Sequence, residues 1–245
     1  MGMPVIVEIA DAGATSDMFD EVFSYFEYVD QKFSPHKDTS EVAAINRGEL
    51  KVEEQSDDMK AVFALSAETK QMTSGYFDIA TADGGCDPSG LVKGWAVFNA
   101  AELLKRRGAK SFYVDAGGDI QVSGGNGAGR PWRVGIQNPF SATEEVVKII
   151  YVGSEGVATS GTYIRGQHIY NPNDRKTPIG DIVSLTVVGP NIFEADRFAT
   201  AAFAMGRAGI VFIERLDGFE GYLIDRNGIA TMTSGFNSYT LLPGA

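Results

Sequence analysis

The sequence predicts an α+β fold, on three observations. Apolar residues recur at helical spacing through most of the first hundred positions. After Ser111 the chain turns to short β-branched runs punctuated by glycine. Helical patterning then returns between strands, with no internal repeat, linker or low-complexity stretch to divide the chain. Its 245 residues, 44% of them hydrophobic, are enough for one sizeable core, and the expectation is a single domain over 1–245.

Pro4 to Ile9 alternates and is β-branched, so it reads as a strand. Ser16 stands as an N-cap before Met18, Phe19, Val22, Phe23, Phe26, Val29 and Phe33, a helical stripe that belongs in the core. A short helix is expected over Ser40–Asn46, and a charged, solvated loop over Lys51–Asp58. The next helix, Asp57–Thr73, points Met59, Val62, Phe63 and Met72 inward, and Gly75 ends it. A helix from about Lys93 to Arg107 buries Val97, Phe98, Ala101 and Leu104 and closes at Gly108.

Ser111–Val122 and Trp132–Gln137 are expected to form a hairpin joined by the glycine run 124–129. Gly124 and Gly129 stand five apart, as in a phosphate loop. Arg130-Pro131 then follows where that loop needs Lys and Ser/Thr, so a β-ribbon turn is the better reading. Further strands are expected at Val146–Val152, Gly156–Thr159, Gln167–Tyr170 and Ile182–Val188, the last stopped by Gly189-Pro190. Asn191 and Glu194 have capping-box spacing, which starts a helix with Phe198, Ala199, Ala202 and Phe203 on its apolar face. A helix over Ala208–Leu216 and a hairpin turning at Asn227-Gly228 complete the chain.

The net charge of −11 and a pI near 4.7 exclude nucleic acid and anionic lipid as natural partners. Cys86 is the one cysteine, so no internal disulfide forms; it reads as a small buried filler. No apolar run approaches the roughly 18 residues of a membrane span. No signal peptide is visible, and the chain as it stands reads as cytoplasmic.

Two stretches carry chemistry. Gly75–Val97 places Asp78, Asp83 and Asp87 among glycines, just before Lys93 at the expected mouth of a helix. Glycine admits close backbone approach and a helix N-terminus attracts anions, so the loop suits a phosphorylated ligand with a divalent metal. It also fits a plain Gly-rich connection with solvated carboxylates. Asp196 and Thr200 are spaced i and i+4, which puts a carboxylate and a hydroxyl on one helix face. Both are hard oxygen donors of the kind Mg²⁺ takes. An amphipathic helix with one polar pair would look the same.

Together these stretches resemble the flavin transferase (ApbE-like) family, whose members use FAD to attach FMN to proteins. Gly75-Tyr76-Phe77-Asp78-Ile79-Ala80-Thr81 resembles the family's G-x-F-D-x-T. Asp87-Pro88-Ser89-Gly90-Leu91-Val92-Lys93-Gly94-Trp95-Ala96 resembles D-L-G-G-I-A-K-G-Y-A. Further matches follow in family order: Met1-Gly2, Phe33-Ser34 with Ser40-Glu41 and Asn46, Ala116–Ile120, Ala158–Gly161, His168–Pro172, and Ala195-Asp196 through Thr200.

The resemblance implies an ApbE-type, T-fold-related core with FAD in a groove between two lobes. It implies Mg²⁺ held by Asp196, Thr200 and a backbone carbonyl at Gly90, and Lys93 at the diphosphate. Asp78 and Asp87 would orient the nucleotide. Tyr76 and Phe77 would lie at the ring or ribose, and Met1, His36, Thr159, Ser160, Gly161, His168 and Ile169 would line the same groove. The implied partner is a flavoprotein offering a Ser or Thr hydroxyl. Family members are often exported lipoproteins, so an exported or lipid-anchored protein whose N-terminal signal has been removed is the alternative location. Pro88-Ser89, Val92, Asp115, Thr162 and Asn171 depart from the pattern and bear on the acceptor side. Three activities therefore stay open: FMN transfer to a protein, FAD hydrolysis to FMN and AMP, and FAD binding without chemistry.

Overall fold

The computed structural model describes residues 2–141, 143, 145–162, 169–174 and 177–241. Within them, one antiparallel sheet orders β1 (Val5–Ile9), β2 (Phe112–Ala116), β3 (Asp119–Ser123), β6 (Gly156–Gly161), β7 (Ile182–Gly189), β8 (Glu220–Asp225) and β9 (Ala230–Met232) side by side. β4 (Trp132–Gln137) and β5 (Val146–Val152) pair with each other in a separate ribbon.

The two-residue period of a strand sends alternate side chains to opposite faces. On one face Phe112, Val114 and Ala116 of β2 and Leu185 and Val187 of β7 meet a helical layer. That layer comprises α1 (Ser16–Phe33), α2 (Glu41–Asn46), α3 (Asp57–Met72), α4 (Ser89–Arg106), α5 (Ile192–Ala204) and α6 (Ala208–Glu214). On the other face Val122, Val157, Val188 and Ile224 meet Trp132, Val134, Ile136 and Ile150 of the ribbon. The sheet thus divides two hydrophobic cores.

α5 is buried on almost every side, as a helix that is apolar all round must be. Its buried cation, Arg197, pairs with Glu194 at 2.7 Å and donates to Thr69 at 3.1 Å. The Asn191 side chain caps the helix by accepting from Glu194 N–H at 2.9 Å. The Glu194 carboxylate goes to Arg197, so only half of the expected capping box forms.

Several expectations are corrected. α4 begins at Ser89, one turn before Lys93, because Asp87 Oδ1 accepts from Ser89 N–H at 3.0 Å and organises the first turn. Thr15, not Ser16, is the residue before α1. Phe23 and Met72 are exposed, at 41% and 48%, rather than inward. The stretch read as one strand over 111–122 is two strands, turned at Gly117 and Gly118 with φ of 63° and 92°. β4 pairs with β5 instead of with the strand before it, and the glycine run 124–129 links two sheets. Of the strand expected at 167–170, positions 167 and 168 lie outside the described residues, while Ile169 and Tyr170 are not in a strand. Val52–Glu54 forms a single 3-10 turn inside the charged loop. Among the described residues no helix is long and apolar enough to cross a membrane.

Candidate active site

The site is built where α4 crosses α5. Gly90 and Gly94 on α4 face Thr200 and Asp196 on α5, an i,i+4 pair against an i,i+4 pair. A Cβ at Gly94 would stand 2.6 Å from Asp196 Cβ, so only glycine permits this approach. The Gly94 N–H donates to Asp196 Oδ2 at 2.8 Å. At Gly90 a Cβ would meet Thr200 Cγ2 at 3.4 Å and Phe77 Cε2 at 3.5 Å.

The loop before α4 is held from several sides. Asn46 clamps Cys86, accepting from its N–H at 2.8 Å and donating to its carbonyl oxygen at 2.9 Å. The Asp87 N–H donates to Ile79 O at 2.8 Å. Asp78 pairs with Lys70 at 2.8 Å and accepts from Ala80 N–H at 3.0 Å. Cys86 is half-buried, not the buried filler expected; burial, with Asp87 adding to it, pushes its thiol up, so it stays protonated.

Lys93 lies one turn inside α4 and reaches β3. Its Nζ is 2.6 Å from Asp119 Oδ2 and 3.9 Å from Asp196 Oδ1. In the fold the anion beside Lys93 is the buried carboxylate of Asp119. Asp119 also accepts from Thr159 N–H at 3.3 Å through Oδ1. Two carboxylates therefore share one ammonium in a dry setting. Burial first, and then the Asp119 charge, push the Asp196 carboxyl well above its usual range; Lys93 and the Gly94 N–H only partly offset them.

In front of this cluster opens a cavity of about 210 Å³. Tyr76, Phe77, Asp78, Asp87 and Gly90 line it together with Thr159, Ser160 and Gly161 from the end of β6, Ile169 and Thr200. The structure thus gathers ten of the sequence-predicted site residues around one space. Asp196 sits behind Thr200 as a 3% exposed residue. His36 and Lys93 line a neighbouring cavity of about 440 Å³ with Gly2, Met3 and Phe33, which meets the first at Ser89. Met1 and His168 lie outside the described residues.

Sequence reasoning missed Asp119, Thr81, Ser89, Gly117, Tyr170 and Pro172. Asp119 carried a signal, since it stands inside the Gly-Gly-Asp-Ile step. Tyr170 closes the cavity by donating its hydroxyl to Ala80 O at 3.3 Å.

The donor set suits Mg²⁺. Among the described residues no three of His, Cys, Asp and Glu gather as a metal group. One carboxylate and one hydroxyl side by side are hard oxygen donors of the kind Mg²⁺ accepts. A cation beside Asp196 would favour the ionised carboxylate that burial and the Asp119 charge oppose.

The chain matches the sequence profile of the ApbE family over residues 1–84 and 81–223. The FAD:protein FMN transferase of Escherichia coli (strain K12) is 30% identical over 186 residues, covering 72% of this chain and 53% of that protein. The chain spans about half the length of the curated relatives it matches. The flavin transferase ApbE from Vibrio cholerae superposes with a TM-score of 0.84 at 23% identity, covering 98% of this chain and 96% of that one. An ApbE protein from Thermotoga maritima gives 0.83 at 18% identity, covering 98% and 99%. These superpositions speak for the fold. The profile match covers most of the sequence, from β1 through the start of β8, and takes in both halves of the α4–α5 crossing: this chain belongs to the ApbE family.

Proposed function

We propose that this chain, acting as a single domain over 1–245, transfers FMN from FAD to a Ser or Thr hydroxyl of a partner flavoprotein and releases AMP. The observation that carries the reading is the juxtaposition of the cavity of about 210 Å³, walled by the Gly75–Gly90 loop and the end of β6, with the Asp196–Thr200 pair. In the reaction the acceptor oxygen bonds to the FMN phosphorus, the bond from that phosphorus to the AMP oxygen breaks, and a proton is released.

Asp196, Thr200 and the Gly90 carbonyl would hold Mg²⁺. Bound there, the ion would neutralise the diphosphate and the charge on departing AMP. Lys93 and Asp119 act from behind. The ammonium favours the ionised form of Asp196, which burial otherwise opposes, and Asp119 fixes the ammonium in place. Tyr76, Phe77 and Ile169 offer apolar surface to a flavin ring, and Ser160 and Gly161 sit at the end of β6 within reach of polar ligand atoms. Asp78 and Asp87 already carry loop hydrogen bonds, so they shape the pocket more than they grip the nucleotide.

The test is incubation with FAD, Mg²⁺ and a candidate acceptor domain, followed by mass measurement of that domain. A mass increase equal to one FMN less one water is expected. Free FMN and AMP with an unmodified acceptor would make the chain a hydrolase, and unconsumed FAD would make it a binding protein.

A further inference from the structure

A third cavity, of about 560 Å³, lies between the large sheet and the ribbon. It shares Gly117 and Thr159 with the flavin cavity, so the two spaces adjoin at these residues. All of Trp132–Gln137, the full six residues of β4, line it without a gap. A strand met on one face contributes every second residue, so this groove runs along the edge of β4 as well as its face. β5 occupies one edge of β4, and among the described residues no strand pairs with the other.

The opposite wall is the face of the large sheet that holds Ile6, Asp115, Ile120 and Val157 in one cross-strand row. Asp115 and Arg133 are the charged residues of the lining; the remainder is apolar, small or neutral. At the junction with the flavin cavity stand Gly117 and Gly118, which present no side chain.

We propose that this groove binds the acceptor's flavinylated segment as an extended strand added to β4, and that the segment passes Gly117 and Thr159 to bring its hydroxyl to the flavin cavity. This rests on the FMN-transfer reading, which requires a hydroxyl from outside the chain. An unpaired strand edge is a template for main-chain hydrogen bonds with an extended peptide. Six strand residues span about 20 Å, which accommodates a short segment on either side of the hydroxyl. With one charge of each sign in an otherwise uncharged lining, the groove favours a segment of small residues with little charge, and the adjoining flavin cavity sets which end of the groove the hydroxyl reaches.

The experiment uses a synthetic peptide pool in which each member carries one central Thr flanked by randomised small residues. The full chain is incubated with the pool, FAD and Mg²⁺. FMN-labelled members are identified by mass, and the best is used as the probe. Ile6→Trp, which fills the groove from an exposed position outside the flavin cavity, should raise the KM for that peptide about tenfold or more, equivalent to about 1.4 kcal/mol of binding. FAD affinity and AMP release without peptide should stay at wild-type values. In case Ile6→Trp folds poorly, hydrogen exchange on the wild-type chain gives a second reading: peptide should slow exchange at the β4 amides. Labelling by Ile6→Trp at the wild-type KM, or β4 exchange unchanged by saturating peptide, overturns the proposal. So does protection of β4 that grows with protein concentration in the absence of peptide, which would assign the edge to a second copy. AMP release with no labelled peptide removes the groove but leaves the active-site reading; no AMP release with either peptide or acceptor domain removes both.

Discussion

Replacing Gly94 by Ala puts a methyl group 2.6 Å from Asp196 Cβ and 2.9 Å from the Ile192 carbonyl oxygen. Carbon contacts are comfortable at about 3.5–4.0 Å, so α4 and α5 must part by about 1 Å. Overpacking of this kind costs about 1–3 kcal/mol. The Gly94–Asp196 hydrogen bond lengthens with it, at a cost of about 1–3 kcal/mol for a buried acceptor. Alanine recovers about 1 kcal/mol of helix propensity. The net loss is about 1–5 kcal/mol, and in a chain of this size it lowers Tm by about 2–20 °C. Turnover should fall by about 10²-fold, since Asp196 is displaced by about 1 Å from its working position. Gly90→Ala is the control: its methyl group meets Thr200 Cγ2 at 3.4 Å, an ordinary contact, so its Tm should stay near wild type. The assay is thermal unfolding by circular dichroism alongside AMP release from FAD. A Gly94→Ala protein that melts at or above the wild-type temperature would refute the close crossing, and wild-type turnover would refute the role given to Asp196.

Lys93→Met leaves the buried carboxylates of Asp119 and Asp196 without their shared ammonium and should cost about 3–5 kcal/mol. Adding Asp119→Asn should restore at least about 1 kcal/mol, and strict additivity in urea unfolding would show that the pair is not coupled. Mg²⁺ should raise the Tm of the wild-type chain, and Asp196→Asn should abolish that rise and weaken apparent metal affinity by about tenfold or more; an equal Mg²⁺ shift in both proteins rules out the metal assignment. Burial raises the Glu41 carboxyl, but Ser56 N–H, the Ser56 hydroxyl and Lys32 outweigh it and hold it below its ordinary 4.5. The unfolded chain therefore binds that proton more tightly. The stabilisation is complete above 4.5 and is lost as pH falls through the lowered folded value. Glu41→Gln should be less stable than wild type at pH 7 by about 1–3 kcal/mol, with the gap closing in acid; a gap independent of pH contradicts this account.

The parts of the site that depend on local spacing were legible in the sequence. Asp196 and Thr200 do share a helix face, and the Gly75–Gly90 loop does wall a cavity. The parts that depend on tertiary approach were not. Gly90 and Gly94 weaken helix propensity, so α4 reads as starting at Lys93; in the fold these glycines are required by the crossing with α5, and packing outweighs propensity. Asp119 acquires its role only when β3 is in register with its face toward α4, which no local pattern encodes. β4 follows β3 in sequence and alternates like a hairpin partner, yet its apolar side, Trp132, Val134 and Ile136, has to cover the far side of the sheet. That demand draws it away from β3 and into the ribbon with β5.

The charged cluster draws on three separate elements, α4, β3 and α5, and its Gly94–Asp196 hydrogen bond joins residues 102 apart in the chain. Contacts of that range close large loops, and their entropic cost places them late in folding. A ligand that needs all three elements finds no purchase on earlier species. It therefore leaves the refolding rate as it was and lowers the unfolding rate alone. Saturating FAD and Mg²⁺ should lengthen the lifetime of the native chain, so that resistance to a protease added in excess tracks occupancy of the site, while the time taken to regain structure from urea does not.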